Sequence, residues 1–180
     1  MMVASFSYFS LSAFTLSGNM ADLVKLKSRT RSDYGYFLEY RTRWNDNDVY
    51  GHVNNSVYNF LVDSIVNDYL MSAVEPDKPH SERQQRGLVV HTQTNYFGSL
   101  AYPCVAELGL RVNHMSNSSA RYEIGIFVPE SSTVKAVGEL THVYVDRETG
   151  RPAAGGMGEP LKIALKALLL PNPSAPSSKL

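Results

Sequence analysis

The stretch that decides the fold is residues 45–58, NDNDVYGHVNNSVY, where short polar side chains separate two regular patterns. The preceding segment, residues 36–44, alternates apolar and polar residues as a strand does. From Val57 onward, apolar residues recur at the i, i+3, i+4, i+7 spacing of an amphipathic helix of about four turns. The polar stretch is therefore predicted to be a loop that leads from a strand into the N-terminus of a long helix.

After the helix, the apolar residues follow a period of two in four consecutive segments that turn-rich sequences separate. The predicted strands are residues 88–97, 106–113, 122–128 and 134–145. Pro160 is predicted to open a short helix that ends at Pro171. One long helix followed by consecutive hairpins favours the α+β class, with an antiparallel sheet wrapped around that helix.

Composition and charge limit the classes of function. The chain has 180 residues, of which 43% are hydrophobic, and this size suits one domain with a sizeable core. Its 17 basic and 17 acidic residues balance, so it lacks the electrostatic footprint of a nucleic-acid-binding protein. The single cysteine, Cys104, excludes an internal disulfide and a metal site built from cysteines.

The two ends of the chain are predicted to lie outside the domain. Residues 1–34 are interpreted as a largely disordered N-terminal extension, residues 35–170 as the domain, and residues 171–180 as a flexible tail. Residues 1–19 are too short and too polar for a membrane span, and they lack the basic segment of a secretory signal. They are interpreted either as a disordered extension or as an upstream start, with Met20 then the working start.

The last three residues, Ser178-Lys179-Leu180, match the SKL tripeptide of peroxisomal proteins. A tail rich in proline and serine is flexible enough for an import receptor to reach that tripeptide. The sequence therefore predicts the peroxisomal matrix as the location, with the cytoplasm as the alternative.

The residues of the loop allow a structural interpretation and exclude two metal sites. A helix N-terminus has four N–H groups without intrahelical partners, and Asn54, Asn55 or Ser56 can cap it. A calcium loop is excluded, because the position that needs a bidentate Glu is Val57. No second histidine stands at metal-ligand spacing from His52, so no metal is expected. Taken alone, these residues favour a polar entry loop before a well-capped helix.

The run RWNDNDVYGHVNNSVYNFLVDS, residues 43–64, resembles the signature of hotdog-fold acyl-CoA thioesterases of the 4-hydroxybenzoyl-CoA thioesterase type, roughly D-x-D-x-x-G-H-V-N-N-x-x-Y. The likeness continues through NYFGSLAYPCVAELGLRV, SNSSARYEIGIF and VGELTHVYVDRETGRP, and covers about residues 36–153. The resemblance implies a hotdog fold and hydrolysis of an acyl-CoA to a free acid and coenzyme A. It also implies a homodimer or tetramer, with no cofactor beyond the coenzyme A of the substrate.

The resemblance also assigns roles to residues of the loop. In this family the second acid of the D-x-D pair is the catalytic carboxylate, which here is Asp48, and a backbone N–H at the helix start, here that of Asn55, holds the thioester oxygen. Gly51, His52 and Asn54 match the part of the signature that shapes the loop and the acyl end of the site. Elementary chemistry agrees, because a developing oxyanion is stabilised by preorganised donors such as those of a helix N-terminus.

The resemblance also points to three residues outside the loop. A related branch of hotdog thioesterases uses a helix carboxylate, which makes Asp63 the alternative catalyst. Ser118 and Ser119 match a turn that borders coenzyme A in relatives.

A non-catalytic acyl-CoA-binding protein is one alternative function, although it would lack the carboxylate. An enoyl-CoA hydratase is the other, but its D-x-N-P-x-H pattern needs a proline that the segment from Asp48 to His52 lacks.

Overall fold

The computed structural model describes residues 20–153 and 155–169. The described residues form one antiparallel sheet of five strands, in the order β1-β3-β4-β5-β2. The strands are β1 (Tyr36–Arg41), β2 (Gln85–Tyr96), β3 (Val105–Met115), β4 (Ser119–Phe127) and β5 (Ala136–Asp146). The helices are α1 (Met20–Lys27), α2 (Asn55–Ala73) and α3 (Glu159–Ala167). The predicted class and the predicted order of strand, long helix, four strands and short helix are confirmed.

The long helix α2 lies against one face of the sheet and supplies the centre of the core. Its apolar positions recur every three or four residues, so they form one stripe that turns toward the sheet. The buried residues of α2 are Tyr58, Leu61, Val62, Ile65, Val66 and Tyr69. The sheet covers them with a layer that includes Leu108, Leu110, Tyr122, Ile124 and Leu140.

Gly138 in β5 sets how closely α2 approaches the sheet. A Cβ atom at this position would stand 2.3 Å from Cγ2 of Val62, a separation that real Cβ atoms do not adopt. The helix therefore rests directly on the backbone of β5 at this point, and a larger residue there would force α2 away from the sheet.

The observed element boundaries differ from the predicted ones by a few residues, for local reasons. The first strand ends at Arg41 rather than at residue 44, because Trp44–Asp46 forms a single 3-10 turn. The helix begins at Asn55 rather than at Val57, because the Asn54 side chain caps it by accepting a hydrogen bond from the Ser56 N–H.

Part of the outer face of the sheet, opposite α2, is covered at β3 and β4 by residues 28–34, which we call the strap. The Tyr34 side chain is buried, and its ring occupies space that Gly109 and Gly125 leave open. The prediction that residues 1–34 form a largely disordered extension is therefore wrong from Met20 onward, where α1 begins. Residues 1–19 and the SKL tripeptide lie outside the described residues.

A buried ion pair fixes the strap to the sheet. Arg29 donates from Nε and Nη2 to the two carboxylate oxygens of Glu123, at 2.8 and 3.1 Å. Asn113 donates to Glu123 Oε2 at 2.8 Å, and the Tyr34 hydroxyl donates to Oε1 at 3.2 Å. Burial and the negative charge of Glu123 raise the pKa of Tyr34, which keeps its hydroxyl protonated as a donor. Each buried charge is thus paired, as burial requires.

Within the described part of the chain, no helix combines the length and the hydropathy needed to cross a bilayer.

Gly125→Ala should destabilise the fold, because the added Cβ would stand 2.5 Å from the Tyr34 ring and displace the strap. We expect the free energy of unfolding to fall by about 1–3 kcal/mol, the usual effect of overpacking a rigid site. Chemical denaturation measures it. Gly98→Ala is the matched control, since its Cβ would meet only the flexible Lys135 side chain. Equal stability of the two variants would show that Tyr34 does not occupy this position.

Candidate active site

Asp46, the first acid of the D-x-D pair, is a buried residue that holds the loop in place. Its carboxylate accepts hydrogen bonds from the Arg43 backbone N–H at 2.7 Å, from the Arg43 guanidinium at 3.0 Å and from the Tyr40 hydroxyl at 3.1 Å. Its backbone carbonyl accepts the Asn54 N–H at 2.8 Å. Burial opposes ionisation, but the hydrogen bonds and the charge of Arg43 outweigh it, so the pKa of Asp46 is below its ordinary value.

Beyond Asp46, residues 47–53 form a tight hairpin. Asn47 and Val53 pair across an antiparallel bridge, and the Asp48 N–H donates to the His52 carbonyl at 2.8 Å. Gly51 closes the turn with φ of 79°, a left-handed conformation that favours glycine. Gly51 therefore permits the sharp turn between Asp48 and His52.

The Asn47 side chain connects this hairpin to the segment after β2. Its Oδ1 accepts the Tyr102 N–H at 3.0 Å, and its Nδ2 donates to the Gly51 carbonyl at 3.2 Å. Asn47 is not among the residues predicted from the sequence. Asn side chains commonly bond to nearby backbone in turns, so the turn-rich composition of the loop was the available signal.

Asp48, the predicted catalytic carboxylate, is half-buried and is held by the hairpin itself. Its Oδ1 accepts the backbone N–H of Tyr50 at 2.8 Å and that of His52 at 3.2 Å. Oδ2 accepts no hydrogen bond from any residue that the structure describes. The carboxylate is therefore oriented through one oxygen, while the other is available to a water molecule or a substrate atom.

The N-terminus of α2 follows directly and provides a donor. Asn54 caps the helix: its Oδ1 accepts the Ser56 N–H at 3.0 Å and the Ser56 hydroxyl at 2.9 Å. The Asn55 N–H donates to none of the described residues. This N–H stands in the first turn, where the helix dipole favours negative charge. A developing oxyanion would find both a hydrogen-bond donor and a favourable field there.

The side chains of two other predicted site residues, His52 and Asp63, do not come together with Asp48 and the Asn55 N–H. The His52 side chain is exposed, and the hydrogen bonds of His52 within the loop involve its backbone. Asp63 is exposed on α2, about 12 Å along the helix from Asn55 at 1.5 Å per residue. Its charge acts instead on His142 of β5.

Ser118 and Ser119 lie at the opposite end of the sheet from the loop. β3 starts beside the end of β1, close to the loop, and runs 11 residues before the turn that contains both serines. That length corresponds to about 35 Å of strand. The Ser118 carbonyl accepts the Tyr144 N–H at 2.7 Å, near the C-terminal end of α2. One chain therefore does not bring these serines to Asp48.

No group of three or more His, Cys, Asp and Glu side chains with the geometry of a metal site occurs among residues 20–153 and 155–169.

Comparison with known structures gives close matches in fold. The chain is similar to the PA5185 protein from Pseudomonas aeruginosa strain PAO1, at 38% identity over 78% of this chain and 95% of that chain, with a TM-score of 0.72. It also matches a 1,4-dihydroxy-2-naphthoyl-CoA thioesterase from Synechocystis, at 17% identity over 73% of this chain and 95% of that chain, with a TM-score of 0.64.

A third match is a predicted thioesterase from Bacillus stearothermophilus, at 16% identity over 75% of this chain and 96% of that chain, with a TM-score of 0.65. At these low identities the second and third matches show the fold alone. No curated protein matched the chain.

The family comparison is more decisive. Residues 42–165, more than half of the chain, match the model of the Thioesterase-like superfamily. This segment contains the hairpin with Asp48, all of α2 and the four strands that follow. Thioester hydrolysis is the class of activity that these matches support. The chain belongs to the Thioesterase-like superfamily.

Proposed function

We propose that the protein is an acyl-CoA thioesterase that hydrolyses its substrate to a free acid and coenzyme A. The observation that carries the proposal is that two groups without protein partners lie within the short segment from Asp48 to Asn55. Asp48 presents a carboxylate oxygen without a hydrogen bond from the described residues, and the Asn55 N–H at the start of α2 lacks an acceptor among them.

In the proposed reaction, the thioester oxygen accepts the Asn55 N–H while water attacks the carbonyl carbon. Asp48 takes the proton from that water, the C–S bond breaks, and the coenzyme A thiolate leaves and is then protonated. A thiol has a pKa of about 8.5, so the thiolate is a good leaving group. Direct attack by Asp48 on the carbonyl carbon would instead give an anhydride that water then cleaves. The same residues serve both routes.

The choice of acyl-CoA rests on the resemblance of residues 43–64 to the 4-hydroxybenzoyl-CoA thioesterase type. A structural neighbour named as a 1,4-dihydroxy-2-naphthoyl-CoA thioesterase supports coenzyme A as the thiol half of the substrate. The exposed side chains at the tip of the loop suit an apolar substrate or a second protein chain, since Val49 and Tyr50 are 93% and 82% exposed.

We further propose that two chains pair through β2 to form a homodimer, alone or within a tetramer. β2 is an edge strand of 12 residues with three consecutive exposed apolar side chains, Leu88, Val89 and Val90. A long edge of this kind is a template for a further strand. Antiparallel pairing of β2 with its own copy about a two-fold axis would join the two sheets.

The proposed location is the peroxisomal matrix, reached through an import receptor that binds Ser178-Lys179-Leu180.

Asp48→Asn tests the proposed chemistry, because it keeps the size of the side chain but removes its charge and most of its basicity. We expect kcat to fall by about 10²–10⁴, the range for loss of a general base, with little change in KM. The release of free thiol from a panel of acyl-CoAs gives both constants.

Asp63→Asn is the matched control for that experiment, and kcat should stay within about tenfold of the wild-type value. Both variants must retain the wild-type melting temperature before a loss of activity is assigned to catalysis. Normal turnover in Asp48→Asn together with an inactive Asp63→Asn would move the catalytic role to the helix.

Val90→Lys tests the proposed dimer. Val90 lies near the middle of β2. In a two-fold pairing, the lysine introduced in one chain would therefore lie close to the same lysine of the partner chain, and the two positive charges would repel each other. Light scattering should give at least twice the 20.0 kDa of one chain for the wild type and a shift toward one chain for the variant. Ile163→Lys, an equally exposed position on α3, is the control. A monomeric wild type would refute the pairing.

Deletion of Ser178-Lys179-Leu180 should move the protein from peroxisomes to the cytosol and leave its hydrolytic activity unchanged. Fluorescence microscopy of tagged full-length and truncated chains, with the tag at the N-terminus, measures the change. Continued import of the truncated chain would contradict the proposed address.

A further inference from the structure

The connection from β2 to β3, residues 98–104, is fixed at both of its ends, and we call it the brace. At its first residue, the Gly98 N–H donates to the Lys135 carbonyl at 2.9 Å, just before β5. At its last residue, the Cys104 N–H donates to Oγ1 of Thr42 at 2.9 Å, just after β1. The Thr42 N–H in turn donates to the Cys104 carbonyl at 3.0 Å. The residues between these ends therefore have a defined position beside the sheet.

The middle of the brace holds the Asp48 hairpin by both of its arms. The Val53 N–H donates to the Leu100 carbonyl at 2.8 Å, and both residues are buried. On the other arm, the Tyr102 N–H donates to Oδ1 of Asn47 at 3.0 Å. Asn47 and Val53 face each other across the bridge at the base of the hairpin, and Asp48 follows Asn47 directly. The brace therefore fixes the base from which the Asp48 carboxylate is presented.

The brace also holds the first turn of α2, through Tyr58. The Leu100 N–H donates to the Tyr58 hydroxyl oxygen at 3.1 Å. Tyr58 is 2% exposed and stands three residues after Asn55, within the first turn of the helix. Burial raises the pKa of Tyr58, against the effect of the Leu100 N–H, so the hydroxyl stays neutral. Leu100 thus bonds to the hairpin through its carbonyl and to α2 through its N–H.

We infer that the brace sets the position of the Asp48 hairpin relative to the start of α2, and that Asn47 and Tyr58 are its positioning residues. They act through other groups, because they keep the Asp48 carboxylate and the Asn55 N–H in the relation that attack on the thioester requires. A misplacement of about 1 Å in such a site can cost about 10² in rate. This inference rests on the proposed function and adds two residues to its machinery.

Tyr58→Phe in the full-length protein tests the link to α2, because it keeps the buried ring but removes the oxygen that accepts the Leu100 N–H. We expect kcat to fall by about 10–10²-fold, since the geometry for attack is lost. KM should stay within about threefold of the wild-type value, because the contacts that bind the acyl-CoA remain. The release of free thiol from a panel of acyl-CoAs gives both constants.

Tyr69→Phe is the matched control at the other end of the same helix. The buried Tyr69 hydroxyl donates to the Ala164 carbonyl at 2.6 Å, so this change also removes one hydroxyl and its hydrogen bond to the backbone. The two variants should lose melting temperature to a similar extent. Tyr69→Phe should nevertheless keep kcat within about threefold of wild type. An equal loss of kcat in both variants would show that Tyr58 has only a structural role, and would overturn the inference.

Two substitutions of Asn47 test the link to the hairpin. Asn47→Leu keeps a similar size but removes both side-chain hydrogen bonds, so kcat should fall by about 10–10²-fold with little change in KM. Asn47→Asp keeps an oxygen that can accept the Tyr102 N–H, and its kcat should lie between those of the wild type and Asn47→Leu.

Asn45→Leu is the control for these variants and should keep the wild-type kcat. Asn45 is exposed, and its side chain makes no hydrogen bond with any residue that the structure describes. If Tyr58→Phe does not fold, the Asn47 variants decide the question. Wild-type turnover in a folded Asn47→Leu would refute the inference.

Amide hydrogen exchange separates this inference from the proposed activity, because it needs no substrate. In Asn47→Leu and in Tyr58→Phe, the N–H groups of Asp48 and Val53 should exchange at least about tenfold faster than in the wild type, since the hairpin opens locally. Exchange at Ile65, in the middle of α2, should not change.

Faster exchange in the hairpin would support the brace even if no acyl-CoA were cleaved and the proposed function failed. Unchanged exchange at Asp48 and Val53 would refute the inference, whatever the enzyme hydrolyses.

Discussion

The packing of α2 into the sheet is the contact on which both the fold and the proposed site depend. The helix buries six side chains against the sheet, each worth about 1.5–3 kcal/mol of apolar burial as an upper estimate. Gly138 lets Val62 rest on the backbone of β5, which fixes the distance between helix and sheet. At its N-terminus, α2 provides the Asn55 N–H of the candidate active site.

The two acids of the D-x-D pair have opposite environments, and this difference explains why the loop needs both. Asp46 is buried and accepts hydrogen bonds from Tyr40 and Arg43, so it fixes the start of the loop. Asp48, two residues later, is turned by the hairpin so that backbone donors hold one oxygen, while no residue that the structure describes donates to the other. A catalytic carboxylate needs a fixed position and an accessible oxygen, and the two acids divide these tasks.

The sequence predicted what depends on local periodicity and could not predict what depends on distant contacts. The stripe of α2 and the alternation of the strands follow from local spacing, and Asn54 was among the capping residues considered. The strap was missed because Tyr34 is buried by Gly109 and Gly125, which lie far away along the chain. Nothing in a single sequence signals that contact.

The candidate site likewise has a part that local sequence could predict and a part that depends on distant contacts. Asp48, Gly51, Asn54 and Asn55 lie within one segment of eight residues, so local hydrogen bonds decide their geometry. Ser118 and Ser119, taken from the resemblance alone, lie at the far end of the sheet within one chain. Only a second chain could bring them to the loop.

The central claim is that the Asp48 loop and the start of α2 hold the reacting thioester. A crystal structure with an acyl-CoA analogue in which a ketone replaces the thioester tests it directly. The account predicts the ketone oxygen within hydrogen-bonding distance of the Asn55 N–H, about 2.7–3.2 Å, with the Asp48 carboxylate beside the carbonyl carbon. A ketone bound away from this loop, for example next to Asp63 of α2, would contradict the account.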